Sequence, residues 1–415
     1  MLELIRGYGK ILISSIKKSN RTAAFLPSPS GPFKVGTRRM TFDDKARAET
    51  FGPKKGPRRL AVQFWYPAVP RGEAKALYTP AKGVARHLSS AFHMPAILNG
   101  LDSLETSSYK DAEIDKRAVP APLLIFSHGY TGFEGQNTIQ MEHLASHGYM
   151  VASICHTYEA FATEIDGNIV PMDGERIKEF NSGMVELSKQ YDLKNITPEK
   201  MLEFMEKCQK QNQGLELWVQ DTVFVAEEIL GMNAQPQSPF FGAVDTEKTI
   251  GLFGHSYGGA TSHELARRDG RFGCFVNMDG APYGVNSPER QGAVGMVLAS
   301  DSGVADIYSA RRQKILAVKV PAAKHMDYSD ISYTCTAIKK SGLVLGSVPG
   351  EEIARIMNDY LLAFFNCFVK GEEPEDLIIP GKGERPGVEK HSLGGWSLGA
   401  ETAEAQNTVR EEQNL

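Results

Sequence analysis

Gly254-His255-Ser256-Tyr257-Gly258 places a serine in the G-x-S-x-G spacing. A serine hydroxyl is a weak nucleophile near neutral pH, so it needs a histidine base within hydrogen-bond reach and a carboxylate to orient that base. The chemistry such a group performs is acyl transfer through a tetrahedral intermediate. The flanks supply the required geometry. Residues 249–253 are apolar and predict a buried parallel strand, and residues 259–268 predict a helix. Strand, sharp turn and helix together lift a serine oxygen above the edge of a sheet, with glycines where the crowded turn leaves no room for a Cβ.

The partners of such a serine follow it in the chain, acid first and histidine second, at the ends of later strands. Three histidines follow Ser256: His263, His325 and His391. His263 lies two turns into the predicted helix and faces away, and His391 lies in a polar tail. His325 follows the predicted strand 315–320 and is the base by placement. Two carboxylates compete for the acid. Asp279 ends the strand predicted over 272–278, and Asp301 ends the next one, over 294–299. The residues themselves leave the two close to even, with the other serving as a loop cap. The oxyanion needs two N–H donors. Tyr257, next after the nucleophile, supplies one, and the His128-Gly129-Tyr130 turn supplies the other through Tyr130. His128 and His255 read as supports of the two turns, not as bases.

These residues require strands ending on one sheet edge, and the pattern provides them. An alternating strand over 59–66 is stopped by Pro67, a buried strand covers 122–127, a helix 140–147 and a further strand 148–154. A strongly apolar helix spans 353–369. Alternation of strand and helix predicts an α/β fold with a mainly parallel sheet covered on both faces. Residues 175–232 interrupt the rhythm with charged helical sequence, expected as a helical cap insertion. The expected organisation is a lead-in over 1–58 (irregular through residue 60), a catalytic domain over 59–375, and a poorly ordered tail over 376–415.

With 415 residues and a net charge of -4, the chain has the size for a large core and lacks the basic excess that phosphate neutralisation requires, so no nucleic-acid partner is expected. The five cysteines are scattered without a C-x-x-C pair, and no ligand spacing predicts a metal or cofactor. Neither a signal-peptide core nor a membrane-spanning run is visible, so a cytoplasmic location is expected. Residues 84–105 carry Val84, Leu88, Phe92, Met94, Ile97 and Leu98 with few charges. They predict either a helix packed on the core or an apolar lip that touches a lipid surface.

Phe126-Ser127-His128-Gly129, the Gly-His-Ser-Tyr-Gly-Gly-Ala turn, Asp279 and His325 together resemble the plasma, lipoprotein-associated platelet-activating factor acetylhydrolases. Residues 31–36, 64–67 and 151–156 are similar to that family too. The resemblance implies an α/β-hydrolase fold and selects Asp279 over Asp301, since the family's acid follows the strand after the nucleophile turn. It also implies a calcium-independent lipase cleaving short or oxidised acyl chains from the middle position of a glycerophospholipid. The alternatives are a general carboxylesterase or dienelactone-hydrolase-like enzyme on soluble esters, and a catalytically silent hydrolase fold used for binding.

Overall fold

A computed structural model describes residues 26–372, apart from 54, 92–95, 193–195, 285–292 and 311–314, together with residues 389–393. In chain order its strands are β1 (Lys34–Ala48), β2 (Pro57–Val69), β3 (Lys75–Leu77), β4 (Glu105–Lys110), β5 (Glu113–Ile114), β6 (Leu123–Ser127) and β7 (Met150–Cys155). After these come β8 (Ala162–Ile165), β9 (Asn168–Pro171), β10 (Gly251–His255), β11 (Cys274–Met278), β12 (Val294–Ala299), β13 (Ile315–Lys319) and β14 (Glu389–Leu393). Among the described residues one sheet runs in the order β14-β13-β12-β11-β10-β6-β7-β2-β1-β4-β3, with β5 alongside β2 and β8-β9 a separate hairpin. The six strands from β7 to β13 are mutually parallel, while β2, β1 and β14 join antiparallel.

Period-two alternation within continuously apolar strands sorts the core onto the two faces. Leu123, Ile125 and Leu252 point to one side, where Val225, Ile229, Leu265 and Tyr308 cover them. Leu124, Phe126 and Phe253 point to the other, against Met141, Leu144, Ile356, Leu361 and Phe364. Each fully buried side chain of this size contributes about 1.5–3 kcal/mol relative to exposure. The helices supplying these residues are α2 (Thr138–Ser146), α5 (Gln209–Ala234), α6 (Tyr257–Arg268), α7 (Val304–Ala310) and the helix Gly350–Phe365. Between β9 and α5 lie α3 (Gly174–Ser188) and α4 (Pro198–Lys207), and α1 (Val84–Ala91) lies between β3 and β4. This is the architecture of an α/β hydrolase.

Two segments depart from expectation. Residues 34–48, expected as irregular lead-in, form the long strand β1, several of whose charged side chains meet tertiary partners: Arg38 pairs with Asp111, Arg39 with Glu134 and Glu164, Asp43 with Arg59, and Arg47 with Asp221. Residues 389–393, expected as part of a poorly ordered tail, form β14, with His391 opposite Ala317. Of the apolar stretch 84–105, Val84 and Leu98 are buried in a cluster with Phe133, Phe161 and Ile338. Residues 92–95 and the side chains of Leu88 and Ile97 lie outside the described residues. Among the described residues no helix is long and apolar enough to cross a membrane.

Candidate active site

The parallel part of the sheet starts at β6, adds β7 on one side, then crosses to β10 on the other. The C-terminal ends of β6 and β10 therefore diverge around a crevice, the position where open α/β sheets bind ligands. The turn after β6 carries Gly129 and Tyr130, and the turn after β10 carries Ser256. Ser256 holds φ +57°, sparsely populated for a residue with a Cβ. Neighbouring glycines make the turn possible: a Cβ on Gly258 would lie 2.0 Å from the Ser127 carbonyl oxygen, and one on Gly254 would lie 2.3 Å from the Gly258 backbone.

Three strand ends then converge. His325, in the loop after β13, places Nε2 2.9 Å from Ser256 Oγ. Its Nδ1 lies 2.8 Å from Asp279 Oδ2, at the end of β11. With Nδ1–H donated to the carboxylate, Nε2 is left unprotonated and faces the hydroxyl. Asp279 is almost fully buried and accepts three more bonds: from Ser300 N–H (2.8 Å), Ser300 Oγ (2.8 Å) and Ser302 Oγ (2.7 Å). Burial pushes its carboxyl pKa up, but the bonds from His325, Ser300 and Ser302 overcome this and hold it below the usual carboxylate range. Asp301, the competing carboxylate, instead accepts the Ala322 N–H at 2.8 Å and lies 3.6 Å from Lys319, about half exposed. It caps a loop.

Tyr257 is the first residue of α6, so its N–H has no intrahelical carbonyl to reach. In the turn after β6 the Gly129 carbonyl accepts from His128 Nδ1 and from Gly132 N–H, both at 2.7 Å. A trans peptide points its N–H opposite its carbonyl, so these bonds fix the direction of the Tyr130 N–H. The flanking N–H groups are engaged, Gly129 with Gln136 Oε1 at 3.2 Å and Thr131 with the Glu159 carbonyl at 2.9 Å. His128 and His255 support these turns as expected. Burial, reinforced by the neighbouring His156 for one and His325 for the other, pushes both down to about 3, so both rings are neutral and serve as one-donor, one-acceptor bridges.

Aromatic rings from α3 and α5 pack over the two turns. Tyr130 stacks on Phe180 with centroids 3.7 Å apart, and Trp218 meets Tyr257 edge-on at 4.9 Å. A buried carboxylate holds them: Glu159 accepts from Trp218 Nε1 at 2.7 Å and from Arg176 Nε at 2.9 Å. Beneath it Asp221 on α5 takes two bonds from Arg58, at 2.7 and 2.6 Å, and lies 3.0 Å from His156 Nδ1. Sequence reasoning missed Ser300, Ser302, Gln136 and this ionic cluster. Only Ser300 carried a signal, a hydroxyl at the end of a predicted strand. His263 is buried in α6 between Phe275 and Tyr308, away from the serine. Among the described residues no group of three or more His, Cys, Asp or Glu forms a metal-holding cluster, and all five cysteines are buried and unpaired as disulfides.

A family model described as platelet-activating factor acetylhydrolase, isoform II, matches residues 18–367. The chain belongs to that family. Among platelet-activating factor acetylhydrolases, that of Cavia porcellus is 23% identical over 367 residues, covering 83% of this chain and 78% of its own. A probable 1-alkyl-2-acetylglycerophosphocholine esterase of Arthroderma benhamiae is 24% identical, covering 66% of this chain and 63% of its own. A solved ferulic acid esterase from Streptomyces cinnamoneus superposes with a TM-score of 0.69 at 24% identity, over 90% of this chain and 99% of its own. That likeness carries the α/β-hydrolase fold. As a platelet-activating factor acetylhydrolase family member, the chain is an ester hydrolase.

Proposed function

We propose that this esterase hydrolyses short or oxidised acyl chains from glycerophospholipids, with Ser256 as nucleophile, His325 as general base and Asp279 as the orienting acid. The observation that carries the reading is the continuous hydrogen-bond path Ser256–His325–Asp279 on strand ends of a chain in this family. Ser256 Oγ attacks the ester carbonyl carbon while His325 Nε2 takes its proton, and the Tyr130 and Tyr257 N–H groups receive the oxyanion. The tetrahedral intermediate collapses by breaking the bond to the lysophospholipid oxygen, which leaves with the proton from His325. Water then attacks the acyl-serine by the same proton relay and releases the acid. Asp279 stays ionised throughout, stabilising the imidazolium and fixing the tautomer. The helices α3 and α5, whose rings pack on both turns, act in this reading with α4 between them as the cap that bounds the acyl site.

The experiment is a hydrolysis panel spanning acetyl, short oxidised and long acyl phospholipids beside a soluble acetyl ester. Short and oxidised chains are expected to give the higher kcat/KM, and preference for the soluble ester alone favours a general carboxylesterase. Ser256→Ala is expected to lose several orders of magnitude in kcat and all labelling by a fluorophosphonate. An active, unlabelled wild-type protein would defeat the assignment. Because the chain supplies its own nucleophile, EDTA is expected to leave turnover unchanged, and loss of activity restored by calcium would contradict the proposed chemistry.

A further inference from the structure

Gln136, in the loop before α2, is buried and uses both ends of its side-chain amide. Its Oε1 accepts the Gly129 N–H at 3.2 Å, in the turn that presents Tyr130. Its Nε2 donates to His255 Nδ1 at 2.9 Å and to Asn137 Oδ1 at 3.1 Å. His255 therefore carries its ring proton on Nε2, which lies 2.9 Å from the backbone carbonyl of His325 and donates to it. The burial that keeps His255 neutral is what makes the arrangement specific, since a neutral ring with Nδ1 accepting has one donor and only one place to aim it. The same segment reaches the same loop twice more: the Gln136 backbone carbonyl accepts the Asp330 N–H at 3.0 Å, and the Asn137 side-chain Nδ2 donates to the Tyr328 carbonyl at 3.0 Å. Glycine at 132 is what lets the amide in, because a Cβ there would lie 2.1 Å from Gln136 Oε1.

We propose that Gln136 is a positioning residue for ester hydrolysis, its single carboxamide holding the oxyanion turn and, through the His255 ring, the backbone of His325 in mutual register. It touches neither the nucleophile nor the base side chain; it acts through Gly129 on one side and His255 on the other. The inference rests on the Ser256–His325–Asp279 reading above. Two donors and a base must meet one tetrahedral centre, and small displacements between them cost rate without altering how the ground-state ester binds.

Gln136→Met keeps the length and bulk and removes both hydrogen-bonding groups. On a soluble acetyl ester it is expected to lower kcat by about ten- to a hundredfold with KM within about twofold. In histidine-selective 15N spectra the unprotonated His255 Nδ1 resonance is expected to move downfield as it loses the donor from Gln136, while Nε2–H stays on the His325 carbonyl; a role in packing alone would not predict this. Wild-type kcat in the folded variant overturns the proposal, as does an unchanged His255 Nδ1 resonance. If Gln136→Met does not fold, Gln136→Asn carries the test, since its shorter amide cannot span from Gly129 to His255; full kcat in that variant overturns the proposal equally. Ser256→Ala separates the two levels. An active Ser256→Ala protein removes the triad reading itself, whereas an inactive Ser256→Ala beside a fully active Gln136 variant removes only this inference.

Discussion

At the scale of single residues, the two carboxylates that close adjacent strands have been put to opposite uses. Asp279 is enclosed and accepts four hydrogen bonds, one from His325; Asp301 is half exposed and caps Ala322. Asp279→Asn is therefore expected to lower kcat by about four orders of magnitude, because an amide favours the wrong histidine tautomer, while Asp301→Asn changes it less than about threefold. Steady-state kinetics of the two variants decide this, and a reversed ranking would move the acid to β12. Ser256 and His325 were legible because a strand–turn–helix signature and strand-end placement are local or nearly so. The choice between Asp279 and Asp301 was not local. Both terminate parallel strands, and only the path of the loop after β13 determines which one the histidine meets. Ser302 and Gln136 were invisible for the same reason, and Ser300 showed only as a hydroxyl at a strand end, since a hydrogen bond across strand ends leaves no period in the sequence.

Among the elements, the insertion helices α3 and α5 are tied down by buried charge as well as by apolar packing. Arg58 at the start of β2 and Asp221 on α5 are both essentially inaccessible, and burial of the Asp221 carboxyl is outweighed by Arg58, which keeps it ionised. Asp221→Ala would leave the guanidinium with Glu49 alone and is expected to cost about 3–5 kcal/mol, read as a lower urea midpoint with unchanged slope. Removing the exposed Glu203–Lys207 pair on α4 should produce no measurable shift, and a comparable loss there would deny burial its part in the effect. The parallel strands were readable as continuous apolar runs. β1 was not, because Arg38, Arg39, Asp43 and Asp44 look like loop sequence until the partners that neutralise them are known.

Across the whole molecule, stability responds to pH through two opposed sets of buried groups. Burial pushes His128 and His255 down to about 3 and His156 to about 4, so each is neutral when folded while the unfolded chain takes up protons below about pH 6.5; stability falls as pH drops through that range. Glu142 on α2 behaves in the opposite sense. Burial pushes its carboxyl up to about 7 despite the Ser108 bond, so its contribution is complete below about pH 4.5 and is lost as pH rises toward and past 7. Glu142→Gln is thus expected to stabilise the protein relative to wild type by an amount that grows about 3 kcal/mol between pH 4.5 and 8, measured by urea unfolding across pH. A pH-independent difference would mean that the carboxyl does not titrate as the fold requires. The last strand carries a separate consequence, for manipulation of the gene. β14 occupies the hydrogen-bonding flank of β13, the strand that leads into the His325 loop. Trimming the chain at residue 372 to obtain a neater domain would bare the backbone of β13 along its length, and bared strands recruit other chains. A shortened protein would then be lost to self-association before its chemistry could be assayed.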